Sequence, residues 1–330
     1  MYTEKCMKIV GKFVLWFVIL LVGSNFVLAA ITYSHNAHFS SLSSIISPLP
    51  QILTNAFAHK ANASDFWQPS LHAFQTSQKK PELTSRAAIS YDTSTDTLLY
   101  SKNIDEKLPI ASLTKIMTAV IALENMSLTD KITVSKSAAT VGEDSMGLSE
   151  GETLTLEDLL HGLILNSGND AAESIAQGSK FKRDDFLHLM NKKAEDLGLT
   201  NTRFSNPSGL QGDGVQYSTV KELLVLTRYA LQKEEFRKIA ATYEYDIPQT
   251  PEHKAFTLYN ETNLLTTYPG VKGVKTGFTD EAGMCLVTYL DYQGHKIIAV
   301  LLNSGNRRQE MMELLDYSLK SLGVNPPSHG

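Results

Sequence analysis

Apolar and polar positions are distributed along the chain in three successive regimes. A basic start (Lys5, Lys8, Lys12) precedes a run from Phe13 to Ile31 that carries no formal charge and is close to the length needed to cross a bilayer. Residues 32–80 then show neither helical nor strand periodicity. They are rich in Ser, Asn, Gln, His and Ala and carry Pro48, Pro50 and Pro69, the composition of a polar stalk. From Arg86 the pattern becomes regular. Residues 87–92 and 97–100 read as two strands around the polar turn at 93–96. Apolar residues at helical spacing predict helices over 113–124, 156–165, 171–177, 183–197 and 219–231. Short β-rich runs return at 271–276, 284–290 and 296–302, and 309–322 reads as a closing amphipathic helix.

Strands at both ends of this region with helices between them predict an α+β fold: one antiparallel sheet assembled from both ends of the domain, with a mostly helical section packed on it. The expected organisation is a cytoplasmic basic segment (1–12), a membrane anchor or signal peptide (13–31), an extracytoplasmic stalk (32–80), a catalytic domain (81–323) and a tail (324–330). The length of the uncharged run favours an uncleaved anchor, while Val27-Leu28-Ala29 leaves a cleaved signal peptide open. Basic residues before the span place the N-terminus inside and the remainder outside the cytoplasm under either reading.

Composition narrows the chemistry. The formal net charge is -5, with Lys and Arg dispersed among Asp and Glu, so nucleic acid is not an expected partner. The two cysteines, Cys6 and Cys285, lie on opposite sides of the expected membrane run or far apart in chain and are not expected to pair. The nine histidines show no zinc-type spacing. Neither a metal nor a cofactor is expected.

Three short motifs carry the candidate chemistry: Ser112-Leu-Thr-Lys115, Ser167-Gly-Asn169 and Lys275-Thr276-Gly277. Ser-x-x-Lys alone says little, because it recurs at Ser77/Lys80, Ser179/Lys182 and Ser218/Lys221, and an isolated copy is usually a helix-capping serine beside a snorkelling lysine. Only Ser112 follows a Pro-containing turn (108–111) and opens an apolar helix. Residues three apart share a helix face, so Lys115 reaches the Ser112 hydroxyl. Burial among Ile116, Met117 and Val120, or a second cation nearby, lowers the lysine's proton affinity toward that of a general base. Ser167 and Asn169 fall on a tight connection between helices. There Ser167 is suited to relaying a proton to the leaving amine, and Asn169 to holding the lysine and the substrate amide. Ser-Gly-Asn recurs at 304–306, where it reads as a turn between strand and helix. Lys275 and the Thr276 hydroxyl suit a substrate carboxylate. Gly277 allows close approach to a strand edge, and the backbone N–H just after it, that of Phe278, suits an oxyanion.

This ordered trio is the signature of penicillin-binding proteins and class A β-lactamases. From about Arg86 to Arg308 the chain resembles the D-alanyl-D-alanine carboxypeptidases among the low-molecular-mass penicillin-binding proteins, with similar blocks at 108–115, 166–171, 197–202, 208–210, 217–219 and 273–283. The resemblance implies a β-lactamase-like fold and acylation of Ser112 by the carbonyl of a stem peptide ending in D-Ala-D-Ala. It further implies loss of D-alanine, hydrolysis of the acyl-enzyme, and acylation by β-lactams as covalent inhibitors. Two departures stand out. Many relatives carry an arginine upstream of Lys-Thr-Gly for the substrate carboxylate, whereas this chain reads Asn260-Glu-Thr-Asn263. The C-terminal β domain and amphipathic anchor common in the family have no counterpart here, and the N-terminal span would substitute for that anchor.

Other readings are a D,D-endopeptidase acting on cross-links, a class A-like β-lactamase, and a non-catalytic sensor of wall peptide or antibiotic. A lactamase of that class adds a glutamate for deacylation. Between Asn169 and Lys275 no Glu is followed four residues later by Asn, the spacing that class uses. The sensor reading leaves a complete set of reactive groups unused.

Overall fold

A computed structural model describes residues 67–72, 74–178 and 182–329. The proposed anchor at 13–31 and most of the stalk lie outside the described residues, and among those described no helix is long and apolar enough to cross a membrane.

The core element is a five-stranded antiparallel sheet built from both ends of the domain. Strands β1 (Ala87–Asp92) and β2 (Thr97–Lys102) form the first hairpin. Strands β7 (Val271–Thr279), β8 (Gly283–Tyr292) and β9 (His295–Ser304) form a meander whose last member pairs with β1, Ala87 opposite Leu302 and Asp92 opposite Ile297. The order β2-β1-β9-β8-β7 leaves β7 at an edge. The expected α+β architecture is thus the one observed.

The run Ile297-Ile-Ala-Val-Leu-Leu302 is buried throughout, because the sheet is covered on both faces. Ile297, Ala299 and Leu301 point to one cluster with Met311, Leu314 and Leu315 of the C-terminal helix. Ile298, Val300 and Leu302 point to the larger cluster beneath the helical section. Period-two alternation of side chains assigns each residue to its layer.

That section contains α1 (Lys115–Asn125), α2 (Lys136–Ala139), α3 (Leu156–Ile164), α4 (Asn169–Gln177), α5 (Arg183–Asp196), α6 (Val220–Ala230), α7 (Glu234–Ala241) and α8 (Leu264–Thr267); α9 (Arg307–Ser321) closes the other face. Helix α1 is buried on every side from Lys115 to Ala122, as a helix dominated by apolar residues around its circumference must be. Side-chain caps fix several starts: the Thr155 hydroxyl accepts from Asp158 N, that of Thr219 from Glu222 N, and Asn306 from Gln309 N. Asn306 as a cap makes the second Ser-Gly-Asn the expected strand-to-helix turn.

Two small ribbons lack a clear sequence signature: β3 (Lys131–Thr133) with β4 (Thr153–Thr155), and β5 (Glu244–Ile247) with β6 (Phe256–Tyr259). Within the segment read as stalk, Trp67 meets Tyr91 edge-on with ring centres 5.5 Å apart, and Phe74 N donates to Leu98 O. In the tail, His329 stacks on Tyr268 and pairs with Asp316.

Candidate active site

The turn bearing Ser112 is not the start of the α-helix expected from residue 113 but a separate 3-10 turn, Ala111–Thr114, that leads into α1 at Lys115. Ala111 adopts φ 48°, a left-handed conformation that an L-residue holds only under tertiary constraint. Two glycines supply that constraint. Gly209 (φ +89°) lies so close that a Cβ would sit 2.0 Å from Ala111 O, and a Cβ on Gly277 would lie 3.2 Å from Ser112 N. The β7 edge and the 208–210 turn thus press the serine backbone from two sides.

Lys115 is fully buried, and its Nζ has three neighbours: Ser112 Oγ at 2.8 Å, Asn169 Oδ1 at 2.7 Å and Ser208 O at 2.7 Å. Asn169 Nδ2 donates to Gly142 O, which fixes the amide so that its oxygen faces the lysine. Burial first, and the Lys275 cation second, hold the Lys115 amine well below the ordinary lysine range.

Asn169 is the first residue of α4, one step inside the helix rather than on the connection before it. Ser167, nearly fully buried at φ 57°, makes the bend. The neighbouring Asp170 is completely buried and accepts from Met146, Gly147, Leu148 and Ala171 amides and from the Ser145 hydroxyl. Those bonds tie down the 142–148 loop, whose Asp144 carbonyl accepts from Asn169 N.

Lys275-Thr276-Gly277 sits in the interior of β7, not at a strand end, and faces the serine turn across the sheet edge. Lys275 Nζ is buried and has no hydrogen-bond partner among the described residues. Burial pushes its ammonium down to about 8, against the opposing attraction of Glu261 and Asp144. Thr276 Oγ1 donates to Glu261 Oε2 at 3.0 Å.

Ser112, Ser167, Thr276, Gly277 and Phe278 line one cleft of about 760 Å³, with Glu143, Asp144, Glu261, Met284 and Arg307 as further walls. Sequence reading missed Glu261, Arg307, Asp170 and the Ser208 carbonyl. Glu261 lies in the 260–263 segment, which holds no arginine. Arg307 instead comes from the start of α9, donating NH1 to Gly277 O at 2.8 Å, and its burial lowers the guanidinium's proton affinity. Only the register of the meander, which sets the end of β9 across β8 from Phe278 of β7, could have revealed it. The competing Ser218/Lys221 pair is engaged elsewhere, Ser218 with Thr202 and Lys221 with Asp105. Among the described residues no group of three or more His, Cys, Asp or Glu is placed to hold a metal ion.

Chemically, the cleft offers a hydroxyl in contact with a depressed amine, a second buried cation, an edge strand and a tightly approached backbone. Comparison with known proteins agrees in kind. A family model described as D-alanyl-D-alanine carboxypeptidase matches residues 74–306. The chain is 34% identical over 268 residues to the D-alanyl-D-alanine carboxypeptidase DacF of Bacillus subtilis, covering 78% of this chain and 68% of that one. It is 35% identical over 212 residues to a D-alanyl-D-alanine endopeptidase of Pseudomonas aeruginosa, covering 62% and 67%. The crystal structure of the Streptomyces K15 DD-transpeptidase superposes with TM-score 0.69 at 31% identity, over 74% of this chain and all of that one.

Proposed function

The chain belongs to the D-alanyl-D-alanine carboxypeptidase family and is a serine-type hydrolase of that class, and on that premise we propose that Ser112 is its nucleophile and Lys115 the base that activates it. The contact at Lys115 carries this reading. Asn169 Oδ1 and Ser208 O can only accept, so a neutral amine spends both its N–H groups on them and turns its lone pair to the Ser112 hydroxyl. Ser112 Oγ then attacks the penultimate D-alanine carbonyl as its proton passes to Lys115. The tetrahedral intermediate collapses with release of D-alanine, whose amine takes a proton relayed through Ser167. Water hydrolyses the ester to complete the cycle. Asn169 holds both the lysine and the substrate amide.

Lys275 and Thr276 receive the terminal carboxylate, the hydroxyl turning from Glu261 to do so. The backbone at Gly277 and Phe278 stabilises the oxyanion. β-Lactams acylate the same serine. The N-terminal run at 13–31 anchors the enzyme to the membrane, or exports it if cleaved, so that the domain works outside the cytoplasm on peptidoglycan stem peptides.

The test is incubation with a peptide ending in D-Ala-D-Ala, with mass spectrometry of products and protein. Release of one D-alanine and a transient acyl adduct on the peptide containing Ser112, both lost in Ser112→Ala, are expected; D-alanine release that survives Ser112→Ala refutes the assignment. A second reading, D,D-endopeptidase cleavage of cross-links, draws on the likeness to the Pseudomonas enzyme. It predicts faster cutting of a cross-linked dimer than of the pentapeptide in the same assay.

A further inference from the structure

A second cavity of about 700 Å³ lies between α6, α7 and the sheet, and shares no lining residue with the catalytic cleft. Its walls come from the start of β7 (Lys272), the end of β8 (Tyr289, Asp291), the start of β9 (Lys296, Ile298) and the two helices. Lys272 is five residues before Gly277 on the same strand, roughly 17 Å at about 3.3 Å per residue. Five cations, Arg228, Arg237, Lys238, Lys272 and Lys296, face this space, with Asp291 as its one lining carboxylate. The chain as a whole carries -5.

Lys238 is paired with Glu234. Arg228, Arg237, Lys272 and Lys296 have no carboxylate within ion-pair distance among the described residues. Asp291 lies beside Tyr289, whose phenol pKa is raised first by burial and next by that carboxylate. Both arginines are held in place: Arg228 lies 4.3 Å over the Trp67 ring, and Arg237 NH1 donates to Leu231 O at 2.6 Å. The Lys296 backbone is fixed by the β1–β2 turn, where Thr93 N and Oγ1 both donate to its carbonyl.

Gathering four unpaired cations around one concavity costs self-repulsion, and concave walls focus the resulting potential on an anionic ligand. Guanidinium forks match phosphate oxygens, and lysines add unoriented charge. A single phosphate occupies the space of only a few waters at about 30 Å³ each. A cavity of this volume with four cations takes several charged repeats in succession. We propose that this cavity is an exosite for a linear polyanion with phosphodiester repeats, bound beside the catalytic cleft on the same strand of the sheet.

The experiment uses the full chain and a fluorescein-labelled oligo(glycerol phosphate) of about ten units, followed by anisotropy from 20 to 300 mM NaCl. Release of about 0.7 counterion per neutralised charge on a flexible polyanion gives an expected slope of log K against log salt of about -3 for four cations. Lys272→Gln with Lys296→Gln weakens binding at least tenfold at low salt and halves that slope. Its melting temperature and its acylation by benzylpenicillin remain those of the wild type. Three results overturn the proposal: no binding by the wild type at low salt, equal affinity and slope in the double variant, or binding confined to inorganic phosphate or phosphatidylglycerol vesicles. Benzylpenicillin acylation reports on Ser112 chemistry alone, so its failure would count against the catalytic reading and leave the exosite result standing.

Discussion

Lys275→Met is expected to make the protein more stable and less active. The wild-type ammonium is buried with no hydrogen-bond partner among the described residues, and folding moves its pKa from an ordinary 10.5 to about 8. Each factor of ten in that equilibrium is worth about 1.4 kcal/mol, so burying the charged form costs roughly 3 kcal/mol even with Glu261 and Asp144 nearby. Methionine has similar length and volume and needs no hydration, so the substitution recovers about 2–3 kcal/mol at pH 7. For a domain of this size that raises the melting temperature by roughly 5–10 °C.

The gain depends on pH in a defined direction. Below about 8 lysine is charged in both folded and unfolded wild type, and the full penalty applies. Between 8 and 10.5 the unfolded chain binds the proton more strongly, so wild-type stability rises with pH and the advantage of Lys275→Met shrinks. Thermal melts by circular dichroism at pH 7 and pH 9.5 measure both quantities, and D-alanine release measures the functional loss. A variant that melts below wild type at pH 7, or a gap that does not narrow by pH 9.5, refutes the claim that this charge is held uncompensated for substrate.

Lys115→Ala removes the proposed base, and acylation by benzylpenicillin, read by intact-protein mass spectrometry, falls at least a thousandfold while circular dichroism shows the fold retained. Glu261→Gln withdraws an anion that supports the Lys275 ammonium, so the alkaline fall in kcat/KM for a carboxylate-terminated peptide moves from near pH 8 to lower pH. A profile that stays in place would mean that Lys275 does not govern that limb. Asp170→Asn sets an NH2 group against donors from Ser145, Gly147 and Leu148, leaving buried donors unmet at about 1–3 kcal/mol. Both the melting temperature and the acylation rate drop, the latter about tenfold, because the 142–148 loop no longer fixes Asn169.

Sequence periodicity disclosed the large elements because each has a strong physical period. The runs at 87–92 and 297–302 are buried on both faces of a covered sheet, and α1 is buried on every side from Lys115 to Ala122. What escaped was set by tertiary contact. The ribbons β3–β4 and β5–β6 are three or four residues long and half exposed, too short to show a period. The boundary at 111–114 was hidden because a 3-10 turn and the first turn of an α-helix use the same residue types; left-handed Ala111 is imposed by Gly209 and Gly277 from 98 and 166 residues away in sequence. Lys115, Asn169 and Lys275 were legible through their motifs. Arg307 and Glu261 have no motif and reach the cleft only through strand order and a loop hydrogen bond, Glu261 N to Leu165 O.

The two lysines illustrate why a site of this kind is built on a sheet edge. If both were charged at 0–1% exposure, their repulsion in a low-dielectric pocket would work against folding. The structure resolves the conflict by giving them unequal surroundings. Lys115 meets two carbonyl-type acceptors and a hydroxyl, partners that serve a neutral amine fully; Glu261 and Asp144 attract the proton on both lysines, but at Lys115 burial and the Lys275 cation outweigh them. Each lysine lowers the cost of the other's state: a neutral Lys115 removes repulsion from Lys275, and a charged Lys275 keeps Lys115 deprotonated. An edge strand is suited to hold this pair, because its outward backbone approaches the serine turn while its inner side chains are locked by β8. The same close approach explains Gly277: a Cβ there would lie 3.1 Å from Ile110 O and 3.2 Å from Ser112 N, so the strand or the serine turn would have to give by a few tenths of an ångström.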